Sequence, residues 1–197
     1  HFSTKVCQCF PPEVSGMLLQ GAQTSLYDVY LNPLDGIFHK WSDSLPEVSL
    51  TRHSVVHFFP TAASALGMYL CRSFSEINLP IFFEGPIGCG KSTLLGNVES
   101  QGISEGASLV HRQCIGTEVV ANLADELEER LEVKKKGFMV PRDAKQVVCV
   151  VDDVNLCQSD VTGMQSVFEW LRQVGILKLM NDQKAHVMRS VQNVGFV

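Results

Sequence analysis

The chain has 197 residues, of which 45% are hydrophobic and 19% charged, and a formal net charge of −5. That length buries a core without disulfides or metals to staple it, and the composition excludes collagen-like, disulfide-scaffold and charge-driven disordered chains. The acidic balance argues against a nucleic-acid face, which needs Lys and Arg to neutralise phosphates, and apolar runs such as Val147-Val148-Cys149-Val150-Val151 are far too short to span a bilayer. Neither nucleic acid nor a membrane is expected as a partner.

Seven cysteines are scattered at positions 7, 9, 71, 89, 114, 149 and 157 with no CxxC pair. They read as reduced thiols of a cytosolic compartment. The chain opens His1-Phe2, without Met or a signal-peptide pattern, and reads as a piece of something longer.

A short helix is expected around Glu13 to Leu19. Leu26, Val29 and Leu31, then Asn32-Pro33-Leu34-Asp35-Gly36, then Ile37, Phe38 and Trp41 read as a hairpin, because Asp-Gly between apolar stretches suits a tight turn. Residues 43–52 read as polar connection. Thr61 is a candidate N-cap for a helix with Leu66, Tyr69, Leu70 and Phe74 on its apolar face.

Pro80-Ile81-Phe82-Phe83 reads as a short strand, followed by a Gly-rich turn and a helix from Lys91 to about Val98. Ala107 to Val110 is a second strand. Thr117 to Lys136 reads as one long helix with Val119, Val120, Leu123, Leu127 and Leu131 in a stripe, Lys134 to Lys136 in its last turn and Gly137 as C-cap. Gln146 to Val151 has the continuous β-branched pattern of a strand buried on both faces. Phe168 to Val174 reads as helix and Val191 to Val197 as a strand. Strands alternating with helices define an α/β fold with a mainly parallel sheet.

Gly85-Pro86-Ile87-Gly88-Cys89-Gly90-Lys91-Ser92 fits GxxxxGK[ST] without a gap. Glycines let the backbone turn so that its N–H groups cradle phosphate oxygens, and the helix that begins there adds its positive end. Lys91 would reach the β- and γ-phosphates and Ser92 would offer its hydroxyl to Mg²⁺. Chance produces such a match in a chain of this length on the order of 0.01 times. Asp152-Asp153 then emerges from the apolar Val147–Val151 run, at the strand end where α/β sheets hold ligands. Asp152 is placed to hold Mg²⁺ through water, and Asp153 to orient or deprotonate the attacking water. The six His at 1, 39, 53, 57, 111 and 186 form no metal-binding pattern. Trp41 and Trp170 read as packing residues.

Phe59-Pro60-Thr61, Leu79-Pro80, Gly85 to Ser92, Lys136-Gly137 with Val140-Pro141, Val150-Val151-Asp152-Asp153-Val154-Asn155-Leu156, Gly163-Met164-Gln165 and Leu171-Arg172-Gln173 occur in an order that resembles a dynein heavy chain. The resemblance is to the third AAA+ module of the motor ring, and the paired Asp152-Asp153 looks axonemal rather than cytoplasmic. Leu26-Tyr27-Asp28-Val29-Tyr30 with Gly36 and Trp41 resembles the segment joining the second module to the third. The resemblance implies a P-loop NTPase AAA+ large domain over 56–197, ending before the sensor and lid, preceded by a hairpin-containing connecting segment over 1–55.

It further implies ATP or ADP as ligand with Mg²⁺ as cofactor. Phe59, Pro60 and Thr61 would lie by the adenine; Gly85, Pro86, Ile87, Gly88, Cys89, Gly90, Lys91, Ser92 and Thr93 would hold the phosphates; Ser92 and Asp152 would hold the metal, and Asp153 would be catalytic. Implied partners are the neighbouring AAA+ modules of the same heavy chain, with intermediate and light chains and microtubules reached through other parts of it, in the cytoskeleton of a cilium or flagellum. Three departures stand out: Ala62-Ala63-Ser64-Ala65 where Asp and Arg are usual, Leu156-Cys157 for Met-Pro, and Gly175-Ile176-Leu177 for an aromatic pair. The leading expectation is a regulatory ATPase module whose isolated fragment is inactive. The alternatives are a ring segment that holds nucleotide without turnover and an unrelated P-loop enzyme of kinase type.

Overall fold

The structure, a computed structural model, describes residues 2–18, 25–45, 58–115, 120–134, 137–159, 161–182 and 184–197. Two compact units divide the chain, His1–Gly67 and Met68–Val197.

In the first unit, helices α1 (Phe2–Gln8) and α2 (Pro12–Leu18) precede the hairpin of β1 (Val29–Leu31) and β2 (Phe38–Lys40). Pro12 opens α2 where a missing N–H costs nothing. The hairpin sits where the Asp-Gly signal places it, with Tyr30 opposite His39. Its loop closes on side chains: the Asn32 carbonyl oxygen accepts from Leu34 N–H at 3.1 Å, and Asp35 accepts from Ile37 N–H at 2.8 Å. Gly36 takes φ +69°, a conformation that side chains resist. Tyr30 stacks on the buried Trp41 at 4.3 Å. Residues 46–57, which include 46–52 of the expected 43–52 connection, lie outside the described residues.

Helix α3 (Ala62–Glu76) starts as its cap predicts. Thr61 Oγ1 accepts from Ser64 N–H at 3.2 Å, while Ser64 Oγ accepts from Thr61 N–H at 2.8 Å. Its buried face differs from the expected one. Cys71 and Ser75 are buried with Met68 packed nearby, whereas Tyr69 and Phe74 are exposed. The apolar residues of this helix are spread around it, so spacing alone did not select the face.

The second unit is built on a parallel sheet. Helix α4 (Lys91–Gln101) leads to β3 (Ala107–Gln113), then come α5 (Val120–Glu129), β4 (Leu131–Val133), β5 (Met139–Pro141) and β6 (Gln146–Asp152). Helix α6 (Ser166–Leu171) runs into a π-turn at Arg172–Ile176, followed by β7 (Leu179–Asp182), β8 (Val187–Ser190) and β9 (Val194–Phe196). The sheet order is β3-β6-β9, both pairings parallel. β6 is therefore the central strand, as its apolar run requires. Its alternate residues feed two cores. Val147 and Cys149 join Leu123, Leu127, Met139 and Trp170. Val148 and Val150 join Cys71, Leu95 and Val98. Each such valine contributes roughly 1.5–3 kcal/mol of burial.

Two expectations are corrected. The helix expected from Thr117 to Lys136 ends at Glu129, and Leu131–Val133 is a strand paired antiparallel with Met139–Pro141. Gly137, at φ +81°, closes this hairpin instead of capping a helix: its N–H reaches Lys134 O at 2.8 Å, and Lys134 N–H reaches Phe138 O at 2.9 Å. Thr117, Val119, Lys135 and Lys136 lie outside the described residues. Pro80–Phe83 is extended but not a regular strand. Its one described backbone bond to the sheet runs from Ile81 N–H to Phe196 O at 2.9 Å. Pro80 has no N–H to give, and β9 alongside is only three residues long. Gln113 of β3 and Asp152 of β6 sit opposite each other, so β3 runs three residues past its expected end.

At the opposite end of the sheet, a polar cluster fixes the strand starts. Gln146 donates to Ser75 O and to Asn78 Oδ1 (3.0 Å) and accepts from Ser104 Oγ at 3.2 Å. Lys178 donates to Asn78 O at 2.6 Å and Val194 O at 2.9 Å, and burial pulls its amino group below its ordinary value. On the outer strand β3, the Arg130 guanidinium donates to Ser108 Oγ at 2.9 Å and lies 3.5 Å from Leu109 O.

The β7–β8 hairpin turns on Asp182. Its Oδ1 accepts from Lys184 and Ala185 N–H at 3.1 and 3.0 Å, and its Oδ2 from Arg189 Nε at 2.5 Å. The Arg189 guanidinium first, then the turn N–H groups, hold this carboxyl below its ordinary value of 3.8. A depressed acid stabilises the fold above that value and loses the effect as pH falls below it. Amide protection of β7–β8, corrected for intrinsic exchange, is expected to fall as pH drops below 3.8. Asp182→Asn should lower protection at neutral pH and flatten that fall; identical curves for both proteins would refute the role.

Candidate functional site

The phosphate-loop candidate occupies Gly85–Ser92, between the extended Pro80–Phe83 segment and α4. Two of its glycines hold backbone conformations that L side chains resist, Gly88 at φ +82° and Gly90 at φ +92°. Gly90 is the N-cap of α4 and has no side chain to satisfy the first-turn N–H groups. Those donors remain directed out of an exposed loop, with the helix dipole behind them. Pro86, Ile87 and Cys89 are exposed, and so are Ser92 and Thr93 at the start of α4.

Lys91 folds back over the loop. Its ammonium donates to Gly85 O at 2.7 Å and Pro86 O at 2.9 Å, and lies 3.6 Å from Cys89 Sγ. A Cβ built on Gly85 would come within 2.9 Å of that sulfur. The loop is thus a closed ring of contacts around one ammonium.

Asp152 and Asp153 leave the end of β6 in different environments. Asp152 is buried, and its Oδ1 accepts from Asp153 N–H at 2.9 Å. Asp153 adopts φ +55°, the left-handed region that costs a non-glycine residue about 1 kcal/mol or more. Its Oδ2 accepts from Gln113 Nε2 at 3.0 Å. Sequence reasoning passed over Gln113 because β3 was expected to stop at Val110. Its position opposite Asp152 was the missing signal, and only strand register supplies that.

Register also relates the loop to the carboxylates. Ile81 bonds to Phe196, and Phe196 is paired with Cys149. Asp152 lies three residues beyond Cys149, and Glu84, at the mouth of the loop, three beyond Ile81. Helix α4 packs back on the same strand through Leu95 and Val98 against Val148 and Val150. Loop and carboxylates share one end of the sheet, the end where open α/β folds place ligands.

Phe59, Pro60 and Thr61 belong to the first unit and the loop to the second. Phe59 is exposed, and Thr61 serves as the α3 cap. A groove of about 610 Å³ lined by Val120, Ala124, Met164, Trp170, Met180 and His186 includes none of the expected site residues.

Among the described residues no three His, Cys, Asp or Glu side chains gather as a metal cage. The Ser92 hydroxyl and the Asp152 carboxylate are a hard-oxygen pair, which suits a cation that keeps most of its ligands from phosphate and water.

A segment bonded to β9, a glycine loop around a lysine, a helix starting at that loop and two acids at the end of the central strand define a P-loop nucleoside-triphosphatase fold of the AAA type. The chain belongs to the family of P-loop containing dynein motor regions, which it matches over residues 51–197. It is 27% identical to dynein axonemal heavy chain 2 of Mus musculus over 153 residues, 75% of this chain and 3% of that protein. It is also 27% identical to the dynein alpha chain of the flagellar outer arm of Chlamydomonas reinhardtii, over 76% of this chain and 3% of that one. Dynein axonemal heavy chain 17 of Mus musculus matches at 25% over 89% of this chain and 4% of its own length. The chain therefore spans only a few hundredths of these relatives.

No disulfide joins any of the seven cysteines. Cys9 and Cys89 are exposed and the other five buried. Burial pushes the Cys71 thiol up to about 11 and Cys149 up to about 12. Under native conditions a thiol reagent such as Ellman's should modify two cysteines quickly and the rest only on unfolding. Cys89→Ser should remove one of those fast equivalents; an unchanged fast count would contradict the exposed loop.

Proposed function

We propose that this chain is the third AAA+ module of an axonemal-type dynein heavy chain, and that its loop binds ATP and ADP with Mg²⁺ to regulate the motor. The observation that carries this reading is the unbroken Gly85–Ser92 loop, wrapped around Lys91 at the uncapped start of α4 and level with Asp152 and Asp153. Residues 56–197 would form the ATPase subdomain and residues 1–55 the connecting segment. Neighbouring AAA+ modules of the same heavy chain would flank it. Intermediate and light chains and microtubules would engage other parts of the motor, in a cilium or flagellum; the axonemal and flagellar names of the relatives support that setting.

The division of labour follows from chemistry. Backbone N–H groups from Gly85 to Thr93 would surround the phosphates, and Lys91 would exchange its two loop carbonyls for phosphate oxygens. Phe59, Pro60 and Thr61 would lie by the adenine. Ser92 and Asp152 would hold Mg²⁺, which supplies charge neutralisation on the phosphates when bound. Asp153 would act as the base that takes a proton from water. Its side chain is one methylene shorter than glutamate, which favours slow turnover and long occupancy, the behaviour of a gate.

A reading without turnover has one observation in its favour: the Asp153 carboxylate is engaged by Gln113 rather than free. Two substitutions separate the possibilities. Lys91→Ala should weaken ATP and ADP binding tenfold or more, since a charge-assisted contact is worth about 1.5–3 kcal/mol; unchanged affinity by calorimetry would sink the phosphate-loop assignment. Asp153→Asn in the full-length motor should keep ATP binding while trapping the site in its ATP state. If nucleotide content and microtubule release both match wild type, the site holds nucleotide passively.

A further inference from the structure

We propose that Glu84 is a specificity-determining residue of the nucleotide site: its carboxylate, at the mouth of the phosphate loop, weakens binding of metal-free nucleotide and so makes the site select nucleotide that carries a divalent cation. The inference rests on the reading of the loop as an ATP and ADP site.

The backbone sets the position of this side chain. In the extended segment before the loop, side chains alternate between faces. Ile81 and Phe83 pack against the core of Leu95, Val98, Val148 and Val150, while Phe82 and Glu84 are exposed. Glu84 is followed by Gly85, whose carbonyl oxygen accepts from the Lys91 ammonium at 2.7 Å. Consecutive Cα atoms are about 3.8 Å apart. The carboxylate therefore stays within about one screening length, roughly 8–10 Å, of the loop in any rotamer. Among the described residues no hydrogen bond or ion pair engages it. Glu99 and Glu169, by contrast, are held by His111 and Arg172.

Register separates Glu84 from the acids assigned to the metal and to water. Ile81 bonds to Phe196 of β9, and Phe196 is paired with Cys149 of β6, so β9 stands between Glu84 and Asp152. Neighbouring strands are about 4.8 Å apart, which sets those two backbones roughly 10 Å from each other. Asp152 is buried and its Oδ1 is taken by Asp153 N–H, whereas Glu84 faces solvent. No described group of three acidic, His or Cys side chains gathers there as a metal cage. Glu84 is thus a fixed charge beside the phosphates and not a ligand of their cation.

The consequence follows from the charges. Glu84, Asp152 and Asp153 set three carboxylates against the Lys91 ammonium at one end of the sheet, in a chain whose net charge of −5 supplies no compensating field. A cation on the phosphates meets Asp152 directly. It acts on Glu84 only by cancelling part of the negative charge that Glu84 repels. Coulomb energy scales with the product of the charges. The penalty that Glu84 imposes is therefore largest on bare ADP and smallest on ADP with its cation. ADP whose cation has left would be driven out, which couples loss of metal to emptying of the site.

The test uses the full-length heavy chain that carries this module, with ADP as the probe in equilibrium binding, once with excess Mg²⁺ and once with EDTA. Subtracting the Lys91→Ala isotherm isolates this site. Glu84→Gln should tighten metal-free ADP about threefold or more and change ADP with Mg²⁺ less than twofold. Glu84→Lys should tighten metal-free ADP further, because it reverses the charge; a purely structural role predicts weakening by both substitutions. Both gains should vanish near 1 M salt, where the screening length is about 3 Å. Unchanged metal-free affinity in Glu84→Gln, an equal shift of both forms, or a gain that survives 1 M salt overturns the proposal. Should Lys91→Ala displace no ADP in either condition, the nucleotide reading fails, and the selection with it. If Lys91→Ala empties the site while both Glu84 variants bind as wild type, only the role of Glu84 fails.

Discussion

Every group at the site end of this molecule inherits its position from β6, a strand held along both edges and both faces. A parallel strand has no tight turn to fix it; it is located only by its neighbours and by what covers it. Here β3 and β9 bond its edges, one helical layer covers Val148 and Val150, and the other covers Val147 and Cys149. By the time the chain reaches Asp152, most of its conformational freedom has already been surrendered. The acids are delivered from a rigid base. Because α4 packs on the same strand, the loop before α4 is referenced to that base as well. Two pieces of chain separated by about sixty residues are thereby kept in one frame without a contact having to form between them.

The features legible in the sequence are those whose physics is local. A phosphate loop is contiguous, because successive N–H groups must converge on one anion, so its motif can be read letter by letter. The apolar run before Asp152 is equally compact. Thr61 as a cap and Asp35-Gly36 as a turn are local in the same way, and both stand where their chemistry places them. The α/β class followed from counting such elements.

Features settled by tertiary pairing were not legible. Leu127 and Leu131 are four residues apart and fit a helix stripe, yet Leu131 is buried from a strand whose partner starts eight residues later at Met139. The helical and strand readings of Leu131-Glu132-Val133 agree on which side chain is apolar, so hydrophobicity could not separate them. Lys134 after it resembles a helix C-terminus and instead bonds across a hairpin turn. The β7–β8 hairpin escaped notice because its strands hold Asn181, Asp182 and Arg189, poor strand residues that are stabilised by Asp182 bonding its own turn and Arg189. The π-turn at Arg172–Ile176 likewise gave no sequence signal. Gln113 belongs to the same class: an ordinary polar residue meets the Asp153 carboxylate only because the ladder sets it opposite Asp152.

One arrangement at the outer edge of the sheet bears on how this fold avoids pairing with other chains. β3 is the outer strand, with no further strand beside it among the described residues. Its sequence, Ala-Ser-Leu-Val-His-Arg-Gln, has enough β-forming character to recruit another chain. Arg130 lays a permanent charge on the backbone at Leu109 and on the Ser108 hydroxyl, and Arg112 and His111 follow within the strand itself. A stranger strand docking there would have to displace the Arg130 guanidinium and accommodate the charge of Arg112. The charged margin of β3 therefore makes that edge a poor template for a foreign strand.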